Sequence, residues 1–216
     1  MSPFASSWRV ILGDSGSGEA ISDPGPGLLF AWGKNGNGQL GKGNTANRSS
    51  PVQVGALTTW TAVEGGRYHS LAIKSDGTLW AWGHNAYGQL GQGDVAQRTS
   101  PVQVGALTTW TAVAGGEKHS LALTSDGTLW AWGRNTNGQL GQGDVVHRSS
   151  PVQVGALTTW TAVVSGLYHS IALKSDGTLW VWGKNGDGQL GLGDVVLRSS
   201  PVQVGALTTW TAVAGG

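Results

Sequence analysis

A fourteen-residue segment, Ser-Pro-Val-Gln-Val-Gly-Ala-Leu-Thr-Thr-Trp-Thr-Ala-Val, recurs four times without a change, beginning at Ser50, Ser100, Ser150 and Ser200. Its tryptophans, Trp60, Trp110, Trp160 and Trp210, therefore stand 50 residues apart. A fixed period of this size marks a repeat architecture, in which one supersecondary unit is stacked on copies of itself to bury a face it cannot bury alone. The repetition also separates positions that drift from positions that do not.

Within the unit from Trp60 to Thr109, four short runs read as strands. Residues 60–66 are aromatic and β-branched and end in glycine. Residues 69–75 alternate. Ser75-Asp76-Gly77-Thr78 then supplies the Asp-Gly signal of a hairpin, and residues 78–83 form a third run. A polar, glycine-rich connection over 84–100 leads to a fourth run at 101–104, where Pro101 suits a strand start or an edge. No segment has helical periodicity. Four antiparallel strands per ~50 residues are one blade of a β-propeller, so the predicted fold is all-β. Trp80 and Trp82 share one face of the third strand, with Leu79 and Ala81 on the other. A large face against a small one lets blades nest. Trp80, Trp130 and Trp180, with Trp82, Trp132 and Trp182, are therefore expected in the core between blades rather than as a sugar platform.

Composition narrows the function classes. With 216 residues the chain is long enough for a sizeable core. Its 37 glycines would suit a disordered segment, but its 12 tryptophans recur at fixed places, which points to a turn-rich folded protein. Charged residues are 12% and the net charge is +1, so no nucleic-acid or membrane partner is indicated. The absence of cysteine excludes disulfides and thiolate metal sites. The start, MSPFASSWRV, lacks the pattern of a signal peptide, and no apolar run approaches ~20 residues.

The pattern Leu-Trp-Ala-Trp-Gly-x-Asn-x-x-Gly-Gln-Leu-Gly, with His-Ser-Leu-Ala and Ser-Asp-Gly before it, resembles the regulator of chromosome condensation repeat family. It runs over Trp60–Gly91, Trp110–Gly141 and Trp160–Gly191. A weaker copy opens the chain: Trp8–Gly13 matches the first strand, Ala20-Ile21 the second and Leu29–Gly33 the third, with Ser17 in place of the histidine and Pro24–Gly27 in place of the Asp-Gly turn. The resemblance implies a propeller used as a rigid binding platform, seven-bladed in typical relatives. Those relatives include a guanine-nucleotide exchange factor, a β-lactamase inhibitor, and bacterial and phage proteins. The expected units are an arm at 1–7, a degenerate repeat at 8–59, repeats at 60–109, 110–159 and 160–209, and the first strand of an incomplete fifth repeat at 210–216. Four copies and an orphan strand imply either part of a larger ring or completion of the terminal repeat by another chain.

Several motifs have plain structural readings. Gly36–Gly41 fits a dinucleotide-binding spacing but leads into glycine and proline rather than a helix, so it reads as a tight turn. His69, His119 and His169 lie one blade apart and read as structural groups bonded to an adjacent loop, not a metal site. Asp94, Asp144 and Asp194 offer too few carboxylates per loop for calcium. Arg48, Arg98, Arg148 and Arg198 are expected to hold the long loop through backbone or Asp. No nucleophile elbow, zinc-protease motif or catalytic cysteine is present. The expectation is a non-enzymatic protein without cofactor or metal.

The repeats differ at selected positions. Residues 34, 84, 134 and 184 read Lys, His, Arg, Lys; 37, 87, 137 and 187 read Asn, Tyr, Asn, Asp; 47, 97, 147 and 197 read Asn, Gln, His, Leu. Residues 67, 117 and 167 read Arg, Glu, Leu, and 68, 118 and 168 read Tyr, Lys, Tyr. All lie in the loops between strands one and two or three and four, which leave a blade on the same side. The Ser-Asp-Gly turns and inter-blade segments leave on the other side and are constant from Asp76 onward. Loops drift where nothing constrains them, but this residue mixture also suits an interface. The expected partner-binding residues are Arg67, Tyr68, His84, Tyr87, Lys118, Arg134, Tyr168 and Lys184. The leading expectation is an interaction scaffold for a protein partner, with self-assembly through the incomplete terminal repeat as a further expectation. The alternatives are a structural or decoration component of an assembly such as a phage particle, and a lectin-like propeller.

Overall fold

The computed structural model describes residues 10–12 and 27–215. The first sheet contains β1 (Val10–Leu12), β2 (Leu29–Gly33) and β3 (Arg48–Gln53). The second blade is β4 (Trp60–Gly65), β5 (His69–Lys74), β6 (Leu79–Gly83) and β7 (Arg98–Gln103). The third is β8 (Trp110–Gly115), β9 (His119–Thr124), β10 (Leu129–Gly133) and β11 (Arg148–Gln153). The fourth is β12 (Trp160–Ser165), β13 (His169–Lys174), β14 (Leu179–Gly183) and β15 (Arg198–Gln203). Each four-stranded sheet is an antiparallel meander in sequence order, a propeller blade.

Three details differ from the sequence reading. The fourth strand starts at Arg98 rather than Pro101, because Gly83 pairs with Arg98 across a register shift between Ala81 and Gly83. Pro101 then lies inside an edge strand, where a missing N–H is tolerated. In the first blade, β1 pairs directly and in parallel with β2, so it takes the place a second strand has in the other sheets. The second strand expected at Ala20-Ile21 lies outside the described residues. Finally, the orphan segment 210–215 forms no strand. It still follows a first-strand path: the Trp210 N–H donates to Gly177 O at 3.1 Å, as Trp110 does to Gly77.

The core lies between blades. Leu29, Ala31, Leu40 and Val54 of the first blade meet Trp60, Ala72 and Trp82 of the second. Leu71, Leu79, Ala81 and Val104 meet Trp110, Ala122 and Trp132, and the third boundary repeats the pattern with Trp160, Ala172 and Trp182. The small-against-large nesting is thus as expected, but burial is unequal. Trp82, Trp132 and Trp182 are fully enclosed. Trp80, Trp130 and Trp180 are only half-buried against the same clusters, with indole N–H groups donating to Thr78, Thr128 and Thr178. A repeated latch adds direction to this packing. The Gln39 carbonyl accepts from Ser70 Oγ and Trp82 Nε1, each at 2.8 Å, and Gln89 and Gln139 do the same for the next two boundaries.

Candidate functional site on the variable rim

The loops after the first strands are tied to one another along the chain of blades. Arg67 N–H donates to Gly116 O and Glu117 N–H to Leu167 O, each at 3.1 Å. A second set of bonds folds each long loop against the short one of its own blade: His84 N–H to Tyr68 O, Arg134 N–H to Lys118 O, and Lys184 N–H to Tyr168 O, at 2.8–2.9 Å. The long loops are braced from within. Arg98 and Arg148 each reach the Asp four residues earlier, Asp94 and Asp144, at 2.6 Å, and Arg198 pairs with Asp194. Arg48 has Asn44 where the others have Asp, and bonds carbonyls only.

This scaffold brings all eight expected residues into one patch. Tyr68 and His84 have ring centroids 6.1 Å apart, and His84 and Tyr87 6.4 Å apart. Arg67 lies over Tyr68 at 5.0 Å, and Lys118 over Tyr87 at 5.0 Å. Arg134 bridges Tyr87 at 5.4 Å and Tyr168 at 5.8 Å, and Lys184 approaches Tyr168 at 5.9 Å. Such cation–ring pairs are electrostatically favourable and fix long side chains in place.

Two residues outside the eight belong to the patch. Glu117, with 6% of its surface exposed, pairs with Arg67 at 3.1 Å and Arg134 at 3.4 Å. His147 meets Tyr87 edge to face at 5.3 Å. Both occupy positions that differ between repeats, the signal by which they are legible. The electrostatics follow from these neighbours. A hydrogen bond to Glu117 is the main reason the Tyr168 hydroxyl is held above its usual value. His84 is lowered by burial and then by Lys118, and His147 by burial and then by Arg134, so both favour the neutral form. A cavity of about 450 Å³ beside the patch is lined by Lys34, Arg67, Tyr68 and His69 among others.

The remaining motifs are structural in geometry. Gly36–Gly41 makes successive turns, with Gly38 N–H on Asn35 O and Gly41 N–H on Gly38 O. Two of the three histidines bond to a strand of the next blade, not to an adjacent loop as expected: His69 Nε2 meets Ser120 Oγ at 2.9 Å, and His119 Nε2 meets Ser170 Oγ at 3.2 Å. Because each serine donates to a Gln carbonyl, the imidazole must be the donor, which assigns the Nε2–H tautomer. Among the described residues no three His, Asp or Glu side chains converge to hold a metal.

The RCC1-like domain model matches residues 20–216. The chain belongs to the RCC1-like domain family. Comparison with curated protein sequences returns no match. Among solved structures, human WBSCR16 is 27% identical with a TM-score of 0.75, over 83% of this chain and 49% of that one. Prp20p from Saccharomyces cerevisiae, described with its binding to Gsp1p and histones, is 25% identical with a TM-score of 0.76, over 88% and 48%. Yeast RCC1 (Prp20) with Kap60 bound is 26% identical with a TM-score of 0.74, over 85% and 46%. This RCC1-like chain therefore spans about half the length of these neighbours.

Proposed function

We propose that this RCC1-like chain is a non-enzymatic protein-interaction scaffold that engages its partner through the variable rim. One observation carries the reading: residues that differ between repeats are joined into a single cation–aromatic patch around the buried Glu117 carboxylate. A patch of this kind offers rigid Tyr area and Arg donors, the chemistry enriched in binding hot spots. Arg67, Lys118, Arg134 and Lys184 outnumber the carboxylates Glu117 and Asp187 that pair with them, so the complementary surface carries Asp or Glu. Yeast Prp20p, a neighbour in fold, binds proteins, in keeping with this use of the propeller.

The test is capture of a partner by the immobilised chain, comparing the wild type with a variant carrying Arg67, Tyr68, Tyr87 and Tyr168 replaced by alanine. The reading requires loss of capture in that variant and a steep fall of association rate with salt. Retained capture there, with loss on replacing Asp76 and Asp126 in a folded chain, places the site on the opposite face.

A further inference from the structure

On the side of the propeller away from the variable rim, the residue before each Ser-Asp-Gly turn differs between repeats: Lys74, Thr124 and Lys174. In the second blade the Lys74 ammonium stands over Trp80, 3.4 Å from the ring centroid, and 5.2 Å from that of Trp60. In the fourth blade Lys174 takes the same place, 3.6 Å from Trp180 and 5.0 Å from Trp160. The third blade has the two rings in nearly the same arrangement. Trp110 and Trp130 are 6.0 Å apart at 75°, against 6.1 Å and 86° for Trp60 with Trp80, and 6.1 Å and 83° for Trp160 with Trp180. The Trp130 indole N–H donates to Thr128 Oγ1, as those of Trp80 and Trp180 do to Thr78 and Thr178, so all three rings are held alike. Yet among the described residues no cation lies over Trp110 or Trp130, where the other two pairs each have one.

Thr124 does not fill the place of the lysines. Its hydroxyl turns instead to the hairpin, bonding Asp126 Oδ1 at 2.6 Å and meeting the Thr128 hydroxyl. Asp76 and Asp176 each have a lysine as charged neighbour, whereas Asp126 has hydroxyl and N–H partners and no such cation. Trp130 is only half-buried, so its ring can be reached from solvent. Beside the equivalent pair of the fourth blade, Trp160 and Trp180, opens a cavity of about 560 Å³, lined also by Gln142, Gln153, Leu157 and Pro201. The same residue types, Gln92, Gln103, Leu107 and Pro151, stand at the equivalent places for Trp110 and Trp130.

We propose that the corner formed by Trp110 and Trp130 in the third blade binds an organic ammonium group, supplied by a ligand where the second and fourth blades supply it from their own lysines. A ring face attracts such a cation through its quadrupole, most strongly in Trp. The Asp126 carboxylate on the adjoining turn adds attraction of the same sign. In the other two blades the resident lysine both covers the ring and repels a second cation. The ammonium belongs either to a free quaternary amine or to a lysine side chain of another protein, and the two present the same chemistry to the rings.

The experiment is titration of the full chain with choline and, separately, with Nα-acetyl-lysine methyl amide, read from the nitrogen–proton correlation signals of the indole N–H groups. Saturable shifts are expected at Trp110 and Trp130, and none at Trp60, Trp80, Trp160 or Trp180. A response to choline alone assigns the site to a quaternary amine, and a response to the lysine amide alone assigns it to a protein side chain. The neutral alcohol in which carbon replaces the nitrogen of choline should give no saturable shift. Thr124→Lys should abolish the response by placing the chain's own ammonium over Trp130. Lys174→Thr should create a second responding pair at Trp160 and Trp180. Each variant carries a residue that the repeat already bears at that place, so neither endangers the fold. No saturable shift with either amine, an equal response to the neutral alcohol, a response that survives Thr124→Lys, or a Lys174→Thr chain whose Trp160 and Trp180 stay silent each overturns the proposal. The four-alanine rim variant leaves Trp110, Trp130 and Asp126 unchanged and should bind as the wild type does, which keeps this test independent of the rim reading.

Discussion

The indole N–H of Trp132 donates to the backbone carbonyl of Gln89 at 2.9 Å across the boundary between the second and third blades. The acceptor is main chain, so no change of the Gln89 side chain removes it. The donor is fully buried, so its loss cannot be repaired by water.

Replacing Trp132 by Phe is expected to keep most of the packing and lose the bond, costing on the order of 1–3 kcal/mol. Trp132→Ala is expected to cost roughly 3–5 kcal/mol. Trp130→Ala should cost clearly less, because its ring is half-exposed and its bond partner, Thr128, keeps other partners. Urea unfolding of the three variants measures the order, and an equal cost for Trp130 and Trp132 contradicts it.

Stability should fall as pH drops below about 6.5. Burial is the main cause that holds His69 and His119 at about 3, with neighbouring histidines adding to it. The unfolded chain takes up protons from about 6.5 downward, while the folded chain refuses them until about 3. The lost stability amounts to about 1.4 kcal/mol per pH unit for each histidine within that window. Replacing both by Gln should reduce the fall of the urea midpoint between pH 6.5 and 4, leaving the smaller part that His84, His147 and His169 contribute in the same direction. Asp76, Asp94 and Asp126 are held below the usual carboxylate value, chiefly by hydrogen bonds.

Glu117→Gln should lower the Tyr168 hydroxyl toward the ordinary phenol value. The wild-type carboxylate favours the protonated phenol by hydrogen bonding to it and by its charge. The amide removes the charge and leaves Arg67 and Arg134 without their shared counter-ion. Ultraviolet titration of the variant against Tyr168→Phe reads the shift. An unchanged Tyr168 titration shows that Glu117 does not govern it.

Gly186→Ala should be within about 0.5 kcal/mol of neutral. Its equivalents are already Ala86 and Thr136, and the position is not held at positive φ. Gly138→Ala should cost more than about 1 kcal/mol, because φ is +69° and a Cβ would lie 2.6 Å from Ser199 Cα. Thermal midpoints of the two variants separate these outcomes.

Blade identity was legible because its signals are local. Asp76-Gly77 closes its hairpin within a few residues, and the alternation from His69 to Lys74 is a property of one strand. Positions 67, 84, 118 and 134 were legible as one surface for a related reason: strand direction alone decides on which side a loop leaves. The contact distances set the limit of such reading. Trp82 meets Gln39 43 residues away, Ser120 meets His69 51 away, and Glu117 meets Arg67 50 away. Trp80 and Trp82 have the same local pattern, and only the neighbouring blade encloses one and leaves the other at the margin. Glu117 reads as one more drifting loop residue until two arginines from different blades close on it. A residue's own period reports the strand it belongs to. What it touches one period away depends on how the blades pack, because every repeat offers the same partners and only their spatial arrangement chooses among them.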